Sequence, residues 1–187
     1  MLDTRDLART PGAMREFART VPAPADLGIP EIMAIPEGSD LAVGVRLQSV
    51  MEGVLVDGAV RGTAVGECSR CLDPVTEEVT VHIAQLFVYP ERAKAARDAG
   101  DENAEDSEEL PELIDDTADI EPVIRDSVVP ALPFRPLCQP DCPGLCSECG
   151  ARLADDPEHH HDIVDPRWSA LQTLLTTTSG DNEVKES

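Results

Sequence analysis

Four cysteines fall within twelve residues of this chain, Cys138-Gln-Pro-Asp-Cys142-Pro-Gly-Leu-Cys146-Ser-Glu-Cys149, and Gly150 follows at once. Thiolates so spaced suit a tetrahedral zinc, which binds sulfur at about 2.3 Å. Cys146-Ser-Glu-Cys149-Gly150 reads as a knuckle, with Gly150 permitting the tight turn that follows. Pro140, Pro143 and Gly144 bend the chain between thiols. As small buried hydrophobes, the cysteines would need an apolar periodicity that this Pro- and Gly-rich stretch lacks. A segment this short cannot build a sufficient core, and a structural zinc contributes on the order of 10–16 kcal/mol of apparent folding energy. His159-His160-His161 lies ten residues beyond Cys149. That is the spacing of a second knuckle, so His159 or His161 can replace one or two of the thiolates.

Cys68-Ser-Arg-Cys71 is a second Cys-x-x-Cys. A redox pair would need its first Cys at a helix N-terminus, where the dipole lowers the thiol pKa. The surrounding pattern predicts strands, not such a helix. Two other readings stay open: a half-site for metal, and a packed pair at a hairpin end with Arg70 exposed. The chain has no Gly-rich phosphate loop and no Ser/His/Asp order that stands out. A closed four-thiolate zinc leaves no position for water. The metal is therefore expected to hold structure, and no catalytic residue is assigned.

The elements that would carry these groups divide the sequence into five parts. Residues 1–40 hold Pro11, Pro22, Pro24, Pro30 and Pro36 and read as an extended arm, with a short helix around Ala13–Arg19. Its Arg5, Arg9, Arg15 and Arg19 offer contacts to phosphate or a partner. Residues 41–90 form a β-rich domain. Leu41, Val43, Val45 and Leu47 alternate, Asp57-Gly58 signals a hairpin turn, and Val75–Val88 is a long strand with a bulge after Ile83, where its apolar phase slips. Residues 91–118 read as an acidic disordered linker, because Asp98 to Glu121 holds 12 acidic residues and no Lys or Arg. Deleting 94–113 is accordingly expected to leave the fold intact. Residues 119–178 hold a helix, the metal-binding module and a last helix. Asp119 and Pro122 start the first of these, with Ile120, Val123, Ile124 and Val128 on one face. Asp165-Pro166 starts the last, with Trp168, Leu171, Leu174 and Leu175 as its apolar stripe. Residues 179–187 read as a disordered tail. The fold class is α+β: an antiparallel β-rich sheet or partly open barrel, an acidic linker, and a small helical, zinc-stapled C-terminal part.

Net charge is -22, from 37 acidic and 15 basic residues. Such a surface repels polyanions on average and favours basic partners. Neither a membrane nor a small-molecule substrate is expected. No apolar run approaches the roughly 20 residues of a membrane span, and Met1-Leu2-Asp3-Thr4-Arg5-Asp6 does not open a signal peptide. The expected compartment is the cytoplasm, where closely spaced cysteines read as metal ligands before disulfides.

Taken together, the motifs resemble the YceD family of bacterial and plastid proteins. Asp3-Thr4-Arg5-Asp6-Leu7 through Pro11-Gly12-Ala13-Met14-Arg15 is similar to the opening of actinobacterial members. Cys68-Ser-Arg-Cys71-Leu72 resembles the family's Cys-x-Arg-Cys element. Leu132-Pro133 through Cys149-Gly150 resembles its Cys…Cys-x-Gly-Leu-Cys-x-x-Cys-Gly element, and Asp165-Pro166-Arg167-Trp168 its Asp-Pro-Arg ending. The resemblance implies a role in accumulation of large-subunit ribosomal RNA, with no established enzymatic activity. Many members carry Cys-x-Cys where this chain has His159-His160-His161, a change that keeps metal-binding chemistry. Some lack the C-terminal cysteines, so the resemblance places the shared function at Cys68, Arg70 and Cys71. The expected protein is a non-enzymatic ribosome-assembly factor. Its partner would be a large-subunit precursor ribonucleoprotein or a basic ribosomal protein, with local RNA contact. Its rivals are a thiol-disulfide oxidoreductase using Cys68 and Cys71, and a zinc-dependent adaptor module.

Overall fold

Alternation of apolar and polar residues organises most of residues 14–88 into antiparallel strands. In this computed structural model, residues 1–98 and 110–161 are described. The chain divides into two units, Met1–Cys142 and Pro143 onward. Strands β1 (Leu2–Asp3), β2 (Met14–Pro22), β3 (Leu27–Ile29), β4 (Met33–Ile35), β5 (Asp40–Ser49), β6 (Gly53–Glu67) and β7 (Pro74–Val88) precede helix α1 (Pro90–Asp98). Strand β8 (Thr117–Ala118) and helix α2 (Glu121–Ala131) follow it.

Strand β6 is the axis of the six-stranded sheet. Strand β7 pairs along its whole length, from Gly53↔Val88 to Glu67↔Pro74. On its other edge β5 pairs from Val54 to Arg61, and β4 takes over at Val65 and Gly66. Strand β2 extends the sheet beyond β5, and β3 beyond β4. The sheet is open: among the described residues it closes into no barrel. Leu41, Val43, Val45 and Leu47 share a buried face with Val54, Val56, Val60, Val79, Val81, Ile83 and Phe87. Each contributes about 1.5–3 kcal/mol by leaving water. Glycines on β6 weaken its pattern in sequence for a packing reason: a Cβ on Gly62 would meet the Cδ1 atoms of Ile35 and Leu41 at 2.9 Å.

Helix α2 lays Ile120, Ile124, Val128 and Leu132 into this core at four-residue spacing, and packs on β7 and β3. Pro122 sits in its first turn, and the Asp119 carboxylate accepts the Glu121 N–H at 3.2 Å. The helix runs through Pro130 and ends at Ala131. Among the described residues no helix is long and apolar enough to cross a membrane.

Several expectations are corrected here. Asp57-Gly58 is not a turn: β6 passes straight through it, Asp57 pairs with Arg46, and the chain reverses at Val50–Glu52 instead. No bulge follows Ile83, because Phe87 stays on the buried face and the β6–β7 register is unbroken. The 1–40 stretch is not an extended arm and 13–19 is not a helix. Strands β2, β3 and β4 occupy it instead, and Arg15, Phe17 and Arg19 share one face of β2.

The 91–118 stretch is ordered at both described ends. Glu91, Ala93, Lys94 and Ala95 are good helix formers behind Pro90 and build α1. Downstream, Leu113 is 2 % exposed in the core, its N–H bonds to the Val88 carbonyl, and Ala118 pairs with Leu2. One buried leucine and a few backbone bonds outweigh the charge there. The expected last helix and tail lie outside the described residues.

Candidate metal centres

Six cysteines and two histidines fall into two groups of four. The Cys68–Cys71 pair sits in the turn joining β6 to β7. The Cys68 N–H bonds to the Asp73 carbonyl at 2.7 Å and the Leu72 N–H to the Cys68 carbonyl at 2.9 Å. To close this turn Leu72 takes φ +62°, a left-handed conformation that costs a non-glycine residue about 1–3 kcal/mol. From the end of α2 the chain runs back under the turn. The Pro136 carbonyl accepts both the Ser69 N–H at 2.9 Å and its hydroxyl at 3.2 Å. Arg70 donates from Nη1 to the Cys142 carbonyl at 2.8 Å.

These contacts bring four thiols together. Cys68 Sγ lies 3.8 Å from Cys142 Sγ, and Cys71 Sγ 3.6 Å from Cys138 Sγ. A tetrahedron of sulfurs about 2.3 Å from a central zinc has edges of about 3.8 Å. The donor set is soft and closed, and it fits a structural zinc. Its electrostatics point the same way. Burial pushes the Cys68 thiol up, but the backbone N–H groups of Cys138, Cys71 and Arg70 outweigh it and bring the thiol down to about 6. The Asp73 N–H lowers Cys71, yet burial and the neighbouring thiols of Cys68, Cys138 and Cys142 raise it overall. Cys138 is raised too, chiefly by the Cys142 thiol. Cys68 carries charge readily while Cys71 and Cys138 resist sharing it, a repulsion that a divalent cation removes.

The second group belongs to the unit after Cys142. Cys146 and Cys149 occupy a turn bracketed by the Leu145↔Arg152 bridge. The Gly150 N–H bonds to the Cys146 carbonyl at 2.9 Å, and Gly150 has φ +71°. The two Cys-x-x-Cys turns thus share one geometry, with Gly150 where the other has Leu72. The N–H groups of Cys149 and Glu148 hold the Cys146 thiol at about 6, as those of Cys71 and Arg70 act on Cys68. His159 and His161 each present Nε2 to Cys149 Sγ at 3.2 Å, and their Nε2 atoms are 2.9 Å apart. His160 turns away and bonds the Glu158 carbonyl through Nδ1.

The structure therefore distributes Cys138, Cys142, Cys146 and Cys149 between two groups, where the sequence spacing suggested one. Cys138 and Cys142 join Cys68 and Cys71; Cys146 and Cys149 join His159 and His161. The signal available in the sequence was the second Cys-x-x-Cys itself, whose partners could not be read from spacing. The arginines named for phosphate contact are mostly engaged within the chain. Arg5 pairs with Asp3, Arg9 with Asp116 and Glu91, and Arg15 with Asp6. Arg19 lies over the Phe17 ring, 5.3 Å from its centroid.

Comparison with known proteins places this geometry in a family. The family described as "Large ribosomal RNA subunit accumulation protein YceD" matches residues 56–175, which span the Cys-x-Arg-Cys turn and every metal-ligating candidate. An uncharacterized protein of Mycobacterium tuberculosis is 46% identical over 174 residues, covering 93% of this chain and 80% of its own. One of Mycobacterium leprae is 41% identical over 175 residues, covering 94% and 77%. No solved structure matches the chain. The match covers most of the chain and both cysteine elements, and the chain belongs to the YceD family.

Proposed function

We propose that this protein supports accumulation of large-subunit ribosomal RNA by binding, as a non-enzymatic factor, and that Cys68, Cys71, Cys138 and Cys142 hold a structural zinc. The observation that carries this reading is the closed four-thiol set at the β6–β7 turn, within a chain whose family is described by ribosomal RNA accumulation and not by an enzyme activity. With four protein ligands, the ion would have no open position for water or substrate. Its work would be to fix the turn against the segment after α2.

The surface so fixed is the proposed contact. Leu72 is 60 % exposed while held at φ +62°, although the matching position of the other turn is a glycine. Backbone strain retained at an exposed apolar residue fits a side chain kept for a partner. The net charge of -22 favours a basic ribosomal protein, or a protein-coated precursor, over bare RNA. Such binding would weaken as salt rises, because screening shortens the reach of exposed charges to about 8 Å at physiological ionic strength. A thiol-oxidoreductase reading gains from the lowered Cys68 thiol, but Cys68 is fully buried and offers a substrate disulfide no approach.

The test is complementation of a depleted strain, read as ribosome profiles on sucrose gradients. Depletion should lower mature large subunits. Leu72→Gly keeps the turn and removes the side chain, so it should fail to restore them while remaining folded and metal-loaded. Normal large subunits after depletion would reject the proposed role. Full rescue by Leu72→Gly would remove the turn as its contact surface.

A further inference from the structure

We propose that Cys146, Cys149, His159 and His161 form a second zinc site, distinct from the four-thiolate centre, which organises the segment after Cys142. This goes beyond the binding role, which needs only the first centre. Three observations carry it.

Its donors converge as a metal would arrange them. With nitrogen about 2.0–2.1 Å and sulfur about 2.3 Å from zinc, tetrahedral edges come to about 3.3 Å between nitrogens and about 3.5 Å between nitrogen and sulfur. The observed 2.9 Å and 3.2 Å are this arrangement drawn slightly tighter. Three polar atoms in so small a triangle cannot all point hydrogens at one another in line; a cation at their centre satisfies every lone pair. The neighbour of His159 also fits, with the Asp156 carboxylate 4.0 Å from its Nδ1, on the side where metal-bound imidazoles are commonly oriented by a carboxylate.

Among its described residues the segment has no apolar core. Among residues 143–161 no apolar side chain is buried, and the described order rests on backbone bonds such as Cys146 N–H to Ala151 carbonyl at 2.8 Å and Leu153 N–H to Gly144 carbonyl at 3.1 Å. Regular turns in a stretch whose described residues bury no apolar side chain fit a cross-link by a metal ion. The histidines also discriminate among themselves: His159 and His161 face the thiols and His160 does not. A solvated histidine run has no reason to sort itself so.

The Cys-x-x-Cys turn provides the third observation. It repeats the geometry at Cys68–Leu72, down to the 2.9 Å bond from the residue after the second cysteine to the carbonyl of the first. The same local device, completed by two thiols in one case and two imidazoles in the other, takes the same class of ligand: a divalent ion that prefers tetrahedral sulfur and nitrogen, zinc foremost.

Elemental analysis and zinc-edge X-ray absorption on the full chain, purified untagged under reducing, zinc-replete conditions, test this. Two equivalents of zinc are expected. Six thiolates and two imidazoles shared between two ions average three sulfurs and one nitrogen per ion. His159→Ala/His161→Ala should leave one equivalent with a purely sulfur shell, as the first centre retains its ion. Cys149→Ser should also leave one, and His160→Ala two. One equivalent in the unmodified chain would overturn the proposal. So would two equivalents surviving in His159→Ala/His161→Ala, or the loss of both ions from it.

Discussion

Cys71 Sγ lies 3.6 Å from Cys138 Sγ although 67 residues separate them. Between the two run all of β7, α1, the acidic stretch and α2. Closing so long a loop costs entropy that grows slowly with its length, and a cross-link between its ends removes that cost from folding. An ion shared by these thiols would tie the β6–β7 turn to the end of α2, and so hold the sheet and the helix in register.

Arg70 reaches past the thiols to the Cys142 carbonyl at 2.8 Å, so it would position one of the proposed ligands. Arg70→Ala should weaken zinc retention by about 10–100-fold, the usual effect of removing an outer partner. Arg70→Lys, with one point charge in place of a planar fork, should restore only part of it. Competition with a graded chelator measures both. Unchanged retention in Arg70→Ala would show the contact to be incidental.

Zinc uptake at the first centre should release protons. At pH 7.5 the Cys68 thiol, at about 6, is already ionised, whereas Cys71 and Cys138 are raised and keep theirs. Binding needs all of them as thiolates, so at least two protons leave. Affinity must then fall as pH falls, by at least about a hundredfold per pH unit near neutrality. Titration calorimetry in buffers of different ionisation enthalpy counts the protons. The His159→Ala/His161→Ala protein isolates the centre. Uptake without proton release would contradict the arrangement.

Leu113 tests the acidic stretch. It is 2 % exposed and tied by its N–H to the Val88 carbonyl at 2.9 Å. Leu113→Ala should cost about 2–5 kcal/mol, read from denaturant unfolding. A loss within about 0.5 kcal/mol, typical of a surface change, would return this segment to the linker that its charge suggests. The proposed 94–113 deletion would remove this leucine, and should therefore destabilise.

Gly58 faces Val45 across the β5–β6 pair, and a Cβ there would lie 2.2 Å from the Gly44 carbonyl oxygen. Backbone cannot yield as a side chain can. Gly58→Ala should cost at least the ~1–3 kcal/mol of ordinary overpacking, visible as a lower thermal midpoint. An unchanged midpoint would mean that the two strands can part there without penalty.

What the sequence disclosed follows from range. Strand β7 was legible almost to the residue, since Val79, Val81 and Ile83 alternate locally, and the stripe of α2 was legible through Ile120, Ile124 and Val128. Asp57-Gly58 misled because turn chemistry is a local preference, and pairing with Arg46 and Val45 overrides it. The prolines of the first 40 residues concealed three strands there. At the site, the turn at Cys146–Gly150 could be read from spacing alone, and His159 or His161 as alternative ligands; the structure sets both beside Cys149. The division of the cysteines could not be read so. The 12-residue cluster is close in sequence, but the partners of Cys138 and Cys142 arrive from a hairpin some 70 residues upstream.

The most direct measurement is the zinc content of Cys71→Ser and Cys138→Ser, made singly and together in the His159→Ala/His161→Ala chain. If one ion joins the β6–β7 turn to the segment after α2, that background holds one equivalent. Each single substitution should then abolish tight binding, and the pair should do no more than either alone. Zinc retained in Cys71→Ser but lost in Cys138→Ser would show that the ion belongs to the Cys138–Cys149 cluster by itself, and would contradict the account.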